Sequence, residues 1–210
     1  EIYFAAAKTG GIFCPYNNHL KQWELKDILD YSTPKFLFVA KDFAGMINAL
    51  KPGLKSIENY ICLQKADGAY WEDYETMIAQ SDAGEPGIKI LEEDVQSIIF
   101  TAGTTGRPKG AMRTHRHLMS DAFASAIDLK VDYEEKVLIT FPMYHVACED
   151  NIVRHSLLSN TIYTKKEGGF NPPEVLEYIS KEKISRIQLV PTMIHSLIQV
   201  PDVSKYDLSS

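Results

Sequence analysis

Cysteine is scarce in this sequence, and its scarcity limits the kinds of protein that the chain can be. The 210 residues include three cysteines, Cys14, Cys62 and Cys148, which are odd in number, widely spaced and set among apolar residues. This pattern favours reduced, buried thiols in a cytoplasmic protein over a disulfide framework or a zinc site. No run approaches the ~18 apolar residues of a membrane span, so we expect no transmembrane segment. The N-terminus also lacks the basic-then-apolar order of a signal peptide.

An excess of positive charge is missing as well. Twenty-eight acidic residues face 22 Lys and Arg residues, which gives a formal net charge of -6. A nucleic-acid partner would call for a basic face, so the sequence predicts none. One local basic cluster exists, and we interpret it as a solvated helix start: Arg113, His115, Arg116 and His117. The sequence does not indicate an oligomeric state.

What is present is the composition of an ordinary globular protein, with 45% hydrophobic and 24% charged residues. Short apolar runs alternate with stretches of helical periodicity, which predicts an α/β fold of parallel sheets flanked by helices. The small and turn residues around 84–94 suggest two incomplete lobes, residues 1–93 and 94–210. The chain has no initiator Met and begins in what we predict to be the last turns of a helix. We therefore expect a segment of a longer protein.

Several elements bear on the later argument. We predict a short strand over residues 12–16, a helix over 70–80, a strand over 95–101 and a possible return strand over 111–114. Thr114 is a suitable cap for the helix that follows. A further strand over residues 136–141 precedes a helix near 151–159.

The most informative stretch is Phe100-Thr-Ala-Gly-Thr-Thr-Gly-Arg-Pro-Lys-Gly110, which follows the buried strand predicted at 95–101. Glycines allow positive φ and let backbone N–H groups point into one concavity, which suits a phosphate. A Walker loop would need Gly-Lys-Ser/Thr entering a helix, and here the lysine follows proline and precedes glycine. A solvated Gly/Thr-rich turn is the alternative interpretation. The candidate phosphate-binding residues are Thr101, Gly103, Thr104, Thr105, Gly106, Lys109 and Gly110.

This stretch closely resembles the phosphate-binding signature of the adenylate-forming superfamily, Thr-Ser-Gly-Thr-Thr-Gly-x-Pro-Lys-Gly. Ala102 stands where serine is usual, so one hydroxyl is missing. Weaker likenesses to acyl-CoA ligases occur in order along the chain, at residues 5–15, 23–29, 188–193 and 206–210. The resemblance implies that this chain is part of the large N-terminal domain of such an enzyme.

A second stretch, Phe141-Pro-Met-Tyr-His-Val-Ala-Cys148, follows a predicted strand, so His145 should emerge at the carboxyl edge of a sheet. The segment resembles the superfamily motif in which a histidine lines the pocket for the acyl group and the adenylate. Peptide-synthetase adenylation domains usually carry Phe-Asp-x-Ser there, so His145 favours an acyl- or aryl-CoA ligase. We assign structural roles to His19, His155 and His195. Glu149 and Asp150 are candidate caps of the next helix, and no second ligand supports a magnesium role for them.

The resemblance implies an AMP-forming reaction. A carboxylate attacks the α-phosphorus of ATP, giving acyl-AMP and pyrophosphate, and the thiol of CoA then displaces AMP. The implied cofactors and partners are ATP, Mg²⁺, CoA and a small-molecule carboxylate, with Lys109 and His145 as catalytic residues and the metal ligands unknown. The family's adenine, ribose, magnesium and C-terminal-domain residues would fall beyond Ser210, so the fragment alone should be inactive. Two alternatives remain: an adenylating domain that feeds a carrier protein, and a catalytically incompetent nucleotide-binding fragment.

Overall fold

The structure is a computed structural model that describes residues 1–65, 68–101, 108–164 and 169–210. These residues form two compact units. The larger one is built from Glu1–Pro15, the region that begins at Ile88, and Lys109–Ser210, and the smaller one is essentially Tyr16–Gly87. The boundary predicted between residues 93 and 94 separates two lobes of the complete domain, and it stays a prediction.

Helices and strands alternate along most of the chain. In chain order they are α1 (Ile2–Thr9), α2 (Gln22–Ser32), β1 (Phe36–Val39), α3 (Lys41–Leu50), β2 (Asn59–Cys62), β3 (Trp71–Asp73), α4 (Tyr74–Gln80), β4 (Val95–Thr101), β5 (Lys109–Thr114), α5 (His115–Asp128), β6 (Lys136–Ile139), α6 (Val146–Leu157), β7 (Thr161–Thr164), α7 (Pro172–Glu182), β8 (Arg186–Ile187) and α8 (Pro191–Ile198). Short 3₁₀ turns lie at Lys51–Gly53 and Val203–Lys205. None of the helices in the described ranges is long and apolar enough to cross a membrane.

The smaller unit contains a parallel three-stranded sheet in the order β1-β2-β3. Its core lies between the sheet and helices α2 and α3, where Leu29 and Ile47 pack with Leu37 of β1. The helix predicted over residues 70–80 is wrong in its first half, because residues 71–73 form β3. Trp71 pairs with Tyr60 of β2 and packs edge-on against its ring at 5.9 Å, and α4 begins only after this contact.

The larger unit contains a parallel sheet in the order β7-β6-β8 and a separate antiparallel pair, β4-β5. Leu138 of β6 forms a core with Val175 of α7 and with Ile184. The α/β fold with parallel sheets and helices is therefore confirmed, with β4-β5 as an antiparallel addition. The strand predicted at residues 12–16 is reduced to one bridge, in which Phe13 exchanges backbone hydrogen bonds of 2.8 and 2.9 Å with Gln96 and Ile98 beside Ser97.

Two boundaries near the predicted site are informative. Thr114 caps α5 as predicted, accepting a hydrogen bond from the backbone N–H of His117 at 3.2 Å. Helix α6 begins at Val146, five residues before the predicted start, because His145 caps it. Histidine is not among the residues that most often cap helices, so the residue type at position 145 does not indicate a helix start.

Candidate functional site

The candidate phosphate-binding stretch is anchored by the antiparallel pair β4-β5. Thr101 ends β4, Lys109 begins β5, and the two residues pair directly across the strands. The hydroxyl of Thr101 donates to the carbonyl oxygen of Lys109 at 3.4 Å. Both residues are exposed. The structure thus brings Thr101 and Lys109 together at the end of the pair where the chain leads from β4 to β5, whereas Gly103, Thr104, Thr105 and Gly106 lie outside the described residues. Their predicted phosphate contacts stay predictions.

Gly110 has a steric reason for being glycine. It lies opposite Phe100 in the β4-β5 pair, and a Cβ atom added to it would lie 2.8 Å from a methyl carbon of Ile98. Real Cβ atoms do not approach neighbours that closely, so a side chain at this position would push the strands apart. Its predicted role in phosphate binding stays a prediction, while its role in strand pairing follows from this contact.

His145 lies beyond the carboxyl end of β6, at the sheet edge where α/β folds place ligands. Its Nδ1 accepts a hydrogen bond of 3.1 Å from the backbone N–H of Ala147, and its exposed ring stacks on Phe141 with centroids 6.0 Å apart. Because Nδ1 acts as an acceptor, the neutral ring carries its proton on Nε2. His145 is thereby oriented at the start of α6 with one N–H donor remaining.

Hydrogen bonds connect the same edge of the sheet to the segment that follows β8. The hydroxyl of Thr140, which follows β6, donates to the carbonyl oxygen of Gln188 at 3.3 Å. The Gln188 side chain in turn accepts from Asn151 Nδ2 at 2.8 Å. Asn151 also donates to the carbonyl of Ala147 at 2.6 Å, so the first turns of α6 are linked to the segment that follows β8.

A buried charge cluster, which we call the Arg113 cluster, lies between β5 and α6. One guanidinium nitrogen of Arg113 donates to Glu149 at 2.6 Å, and the other forms an ion pair with Asp150 at 2.6 Å. The Arg113 and Glu149 side chains are 15% and 4% exposed, so the pair is shielded from water. Asp121 of α5 lies farther away, 3.9 Å from the guanidinium, and Tyr3 of α1 hydrogen-bonds Glu149.

The protonation of this cluster follows from burial and charge. Burial opposes the charged form of Arg113, but hydrogen bonds and charge from Asp150 and Glu149 outweigh it, so the pKa of Arg113 is raised. Burial, followed by the negative charge of Glu149 and the hydrogen bond with it, raises the pKa of Tyr3. Arg113 is therefore a permanent cation, and Tyr3 a neutral donor.

These contacts correct two predictions. Glu149 and Asp150 do not cap α6, since they lie inside the helix and bind Arg113. Arg113 is not part of a solvated helix start, although its neighbour Arg116 is exposed and pairs with Glu92 and Glu93 at 2.5 Å each. One feature of the sequence does indicate these contacts. Charges of opposite sign, Arg113 on one side and Glu149 and Asp150 on the other, stand within segments that pack as a strand and a helix.

His155, Cys62 and Cys148 are buried as predicted, whereas the structural roles of His19 and His195 stay predictions. His155 is fully buried and bonds Asn160 at 2.7 Å, and burial lowers its pKa. His195 and His19 are exposed. All three cysteines are free, with Cys62 and Cys148 buried and Cys14 half-buried. Burial raises the pKa of the Cys148 thiol to about 11, so it is not a reactive thiolate at neutral pH.

No metal centre can be assembled from the described ranges, because they contain no group of three His, Cys, Asp or Glu side chains placed to hold an ion. The buried carboxylate of Glu149 and the partly buried one of Asp150 are already paired with Arg113. The donor set of these residues therefore does not fit magnesium.

Comparison with known proteins decides the family. The model of a family described as AMP-binding enzyme matches residues 1–210. This chain belongs to the AMP-binding enzymes. The resemblance seen in the sequence is thus confirmed, and the relatives of this AMP-binding chain include several acid–CoA ligases.

Two curated relatives illustrate the range. The long-chain-fatty-acid–CoA ligase FadD13 of Mycobacterium tuberculosis is 27% identical over 211 residues, covering 98% of this chain and 40% of that protein. The indoleacetate–CoA ligase of Aromatoleum aromaticum is 29% identical over 209 residues, covering 99% of this chain and 40% of that protein. This AMP-binding chain therefore spans about 40% of the length of these relatives.

Solved structures agree on the fold. The inhibitor-bound N-terminal domain of FACL13 from M. tuberculosis matches with a TM-score of 0.87 at 26% identity, covering 99% of this chain and 50% of that one. The anthranilate–CoA ligase AuaEII, solved with anthranoyl-AMP, matches with a TM-score of 0.87 at 21% identity, covering 99% of this chain and 40% of that one. The second likeness supports the fold alone.

Proposed function

We propose that the complete protein is an AMP-forming acid–CoA ligase that activates a fatty or aryl carboxylate. The observation that carries the proposal is the Phe100–Gly110 signature in a chain of the AMP-binding family, with the two flanking residues Thr101 and Lys109 paired across β4-β5. The names of FadD13 and of the indoleacetate ligase agree with it. The free cysteines are consistent with a cytoplasmic setting, which we include in the proposal.

The reaction has two steps. A carboxylate oxygen attacks the α-phosphorus of ATP, forming the acyl-phosphate bond as the bond to pyrophosphate breaks. The thiol of CoA then attacks the acyl carbonyl, the thioester forms, and AMP leaves with the electron pair of the broken bond while the thiol proton is released. Negative charge develops on the leaving pyrophosphate, so electrostatic stabilisation and positioning should dominate catalysis.

We assign roles to residues from the resemblance of the two motifs to those of the family. Lys109 supplies a positive charge at the start of β5, beside Thr101, and we assign it to the β- and γ-phosphates. We assign the same phosphates to Thr101, Gly103, Thr104, Thr105, Gly106 and Gly110. His145, with Nε2–H remaining as a donor, is assigned to the pocket for the acyl group and the adenylate. Magnesium is expected to accompany ATP, and none of the described residues is assigned to it.

The acceptor is tested on the complete protein with a panel of fatty and aryl carboxylates. A CoA ligase releases AMP only when both a carboxylate and CoA are present. An adenylating protein that feeds a carrier forms acyl-AMP that CoA does not discharge. Release of ADP, or no turnover with any carboxylate, contradicts the proposal.

Lys109 is tested in the same protein by Lys109→Ala. Loss of one stabilising positive group should lower ATP–pyrophosphate exchange on the order of 100-fold. Lys89→Ala, at an exposed lysine outside the β4-β5 pair, is the matched control and should leave the exchange rate unchanged. An unchanged rate in Lys109→Ala would remove this residue from the site.

A further inference from the structure

The two segments that carry the proposed site are joined by the Arg113 cluster. Strand β5 begins at Lys109, and Arg113 lies four residues later on the same face of the strand, because side chains alternate along it. Helix α6 begins after its cap His145, and Glu149 lies one turn into the helix. The contacts of Arg113 with Glu149 and Asp150 therefore connect the strand that starts at Lys109 with the helix that starts at His145.

The geometry of this connection is restrictive. Two different guanidinium nitrogens reach two different carboxylates, each at 2.6 Å, and Glu149 and Asp150 are neighbours on one helix. A planar guanidinium fork fixes both distance and orientation, which a lysine ammonium cannot do. The low exposure of Glu149, 4%, removes competing water. The cluster therefore limits both sliding and rotation of α6 relative to β5.

A second set of polar contacts supports the same end of α6. Asn151 donates to Gln188 at 2.8 Å and accepts from Arg154 at 3.0 Å, and Arg154 is 5% exposed. Directional contacts thus tie α6 to β5 on one side and to the segment after β8 on the other. Apolar packing alone would allow small shifts that this arrangement does not.

We propose that Arg113 is a positioning residue, which holds the His145 end of α6 in register with β5 and hence with Lys109. The inference rests on the proposed ligase function, because it assigns His145 and Lys109 to one reaction. Arg113 itself touches no reacting group in this account and acts through the orientation of the helix.

The first experiment tests the Arg113 cluster by a measurement that does not depend on enzymatic activity. Amide hydrogen exchange in the first two turns of α6 is compared between the complete wild-type protein and its Arg113→Lys variant. Arg116→Lys is the matched control, since Arg116 also holds two carboxylates but is exposed. Faster exchange in Arg113→Lys but not in Arg116→Lys is expected, and equal exchange in all three proteins would overturn the proposal.

The second experiment is a double-mutant cycle on ATP–pyrophosphate exchange. Arg113→Lys should lower kcat about tenfold in the wild-type background with little change in the KM for ATP, since small misplacement of a catalytic group costs rate. In a His145→Ala background the same change should cost less than about twofold, because the group that Arg113 positions is gone. Equal losses of kcat in both backgrounds would show that Arg113 has only a structural role. If Arg113→Lys does not fold, Glu149→Gln replaces it in both experiments.

The two hypotheses fail in different ways. If the wild-type protein turns over no carboxylate, the ligase proposal fails, while the amide hydrogen-exchange data still test whether the Arg113 cluster holds α6. If the ligase is active and Arg113→Lys keeps its full kcat, the positioning role fails and the function stands.

Discussion

Helices α6 and α7 belong to the same unit, yet they bury opposite kinds of side chain. The buried residues of α7 are Val175 and Leu176. Those of α6 are mostly polar or charged: Cys148, Glu149, Asn151, Arg154 and His155. Apolar burial stabilises without regard to direction, whereas buried ion pairs contribute little net stability and fix geometry through their partners. The difference suggests that α7 mainly stabilises its sheet and that α6 mainly sets a position.

The largest effect should come from leaving the α6 carboxylates without their cation. Arg113→Met deprives Glu149 and Asp150 of it and should destabilise the complete protein by about 3–5 kcal/mol, because the charge of Glu149 stays buried without compensation. Urea denaturation followed by circular dichroism measures this loss.

The matched control removes the whole cluster at once, in the variant Arg113→Met/Glu149→Leu/Asp150→Asn/Tyr3→Phe. Tyr3 is included because its hydroxyl otherwise loses Glu149. Replacing buried ion pairs by apolar groups is often nearly neutral, and the partly exposed position 150 keeps a polar side chain, so this variant should lie within about 1 kcal/mol of wild type. If it is as unstable as Arg113→Met, the cluster contributes to stability directly and the contrast with α7 disappears.

The apolar side of the comparison is tested at Val175, which is fully buried against Leu138 and Ile184. Val175→Ala should cost about 2 kcal/mol, from lost transfer free energy and the cavity left behind. The kcat of ATP–pyrophosphate exchange should not change, because α7 carries none of the proposed site residues. Val203→Ala, at a partly exposed valine, should cost far less. A fall in kcat would show that α7 also positions the site.

Sequence patterns predicted the parts of this molecule that depend on neighbouring residues. The bounds of β4 match the predicted range, and Thr114 caps α5 as expected, because runs of β-branched residues and caps are local signals. The helix predicted at Trp71 is wrong because the pairing of this residue with β2 depends on residues that are distant in the sequence. The Arg113 cluster joins residues 36 positions apart, so only the folded chain shows it.

The smallest expected effect comes from His155, the last of the buried side chains along α6. Burial, partly offset by the bond to Asn160, lowers the pKa of His155 from its ordinary value of 6.5. As the pH falls through that value the unfolded chain takes up a proton that the folded chain does not, so stability decreases with falling pH. Denaturation between pH 7.5 and 5.5 should show this slope in wild type and a weaker slope in His155→Gln. His195→Gln, at an exposed histidine, is the matched control for the substitution itself. Because the buried residues of α7 do not titrate, Val175→Ala should shift stability equally across this range, and a pH-dependent shift would mean that the two helices are coupled.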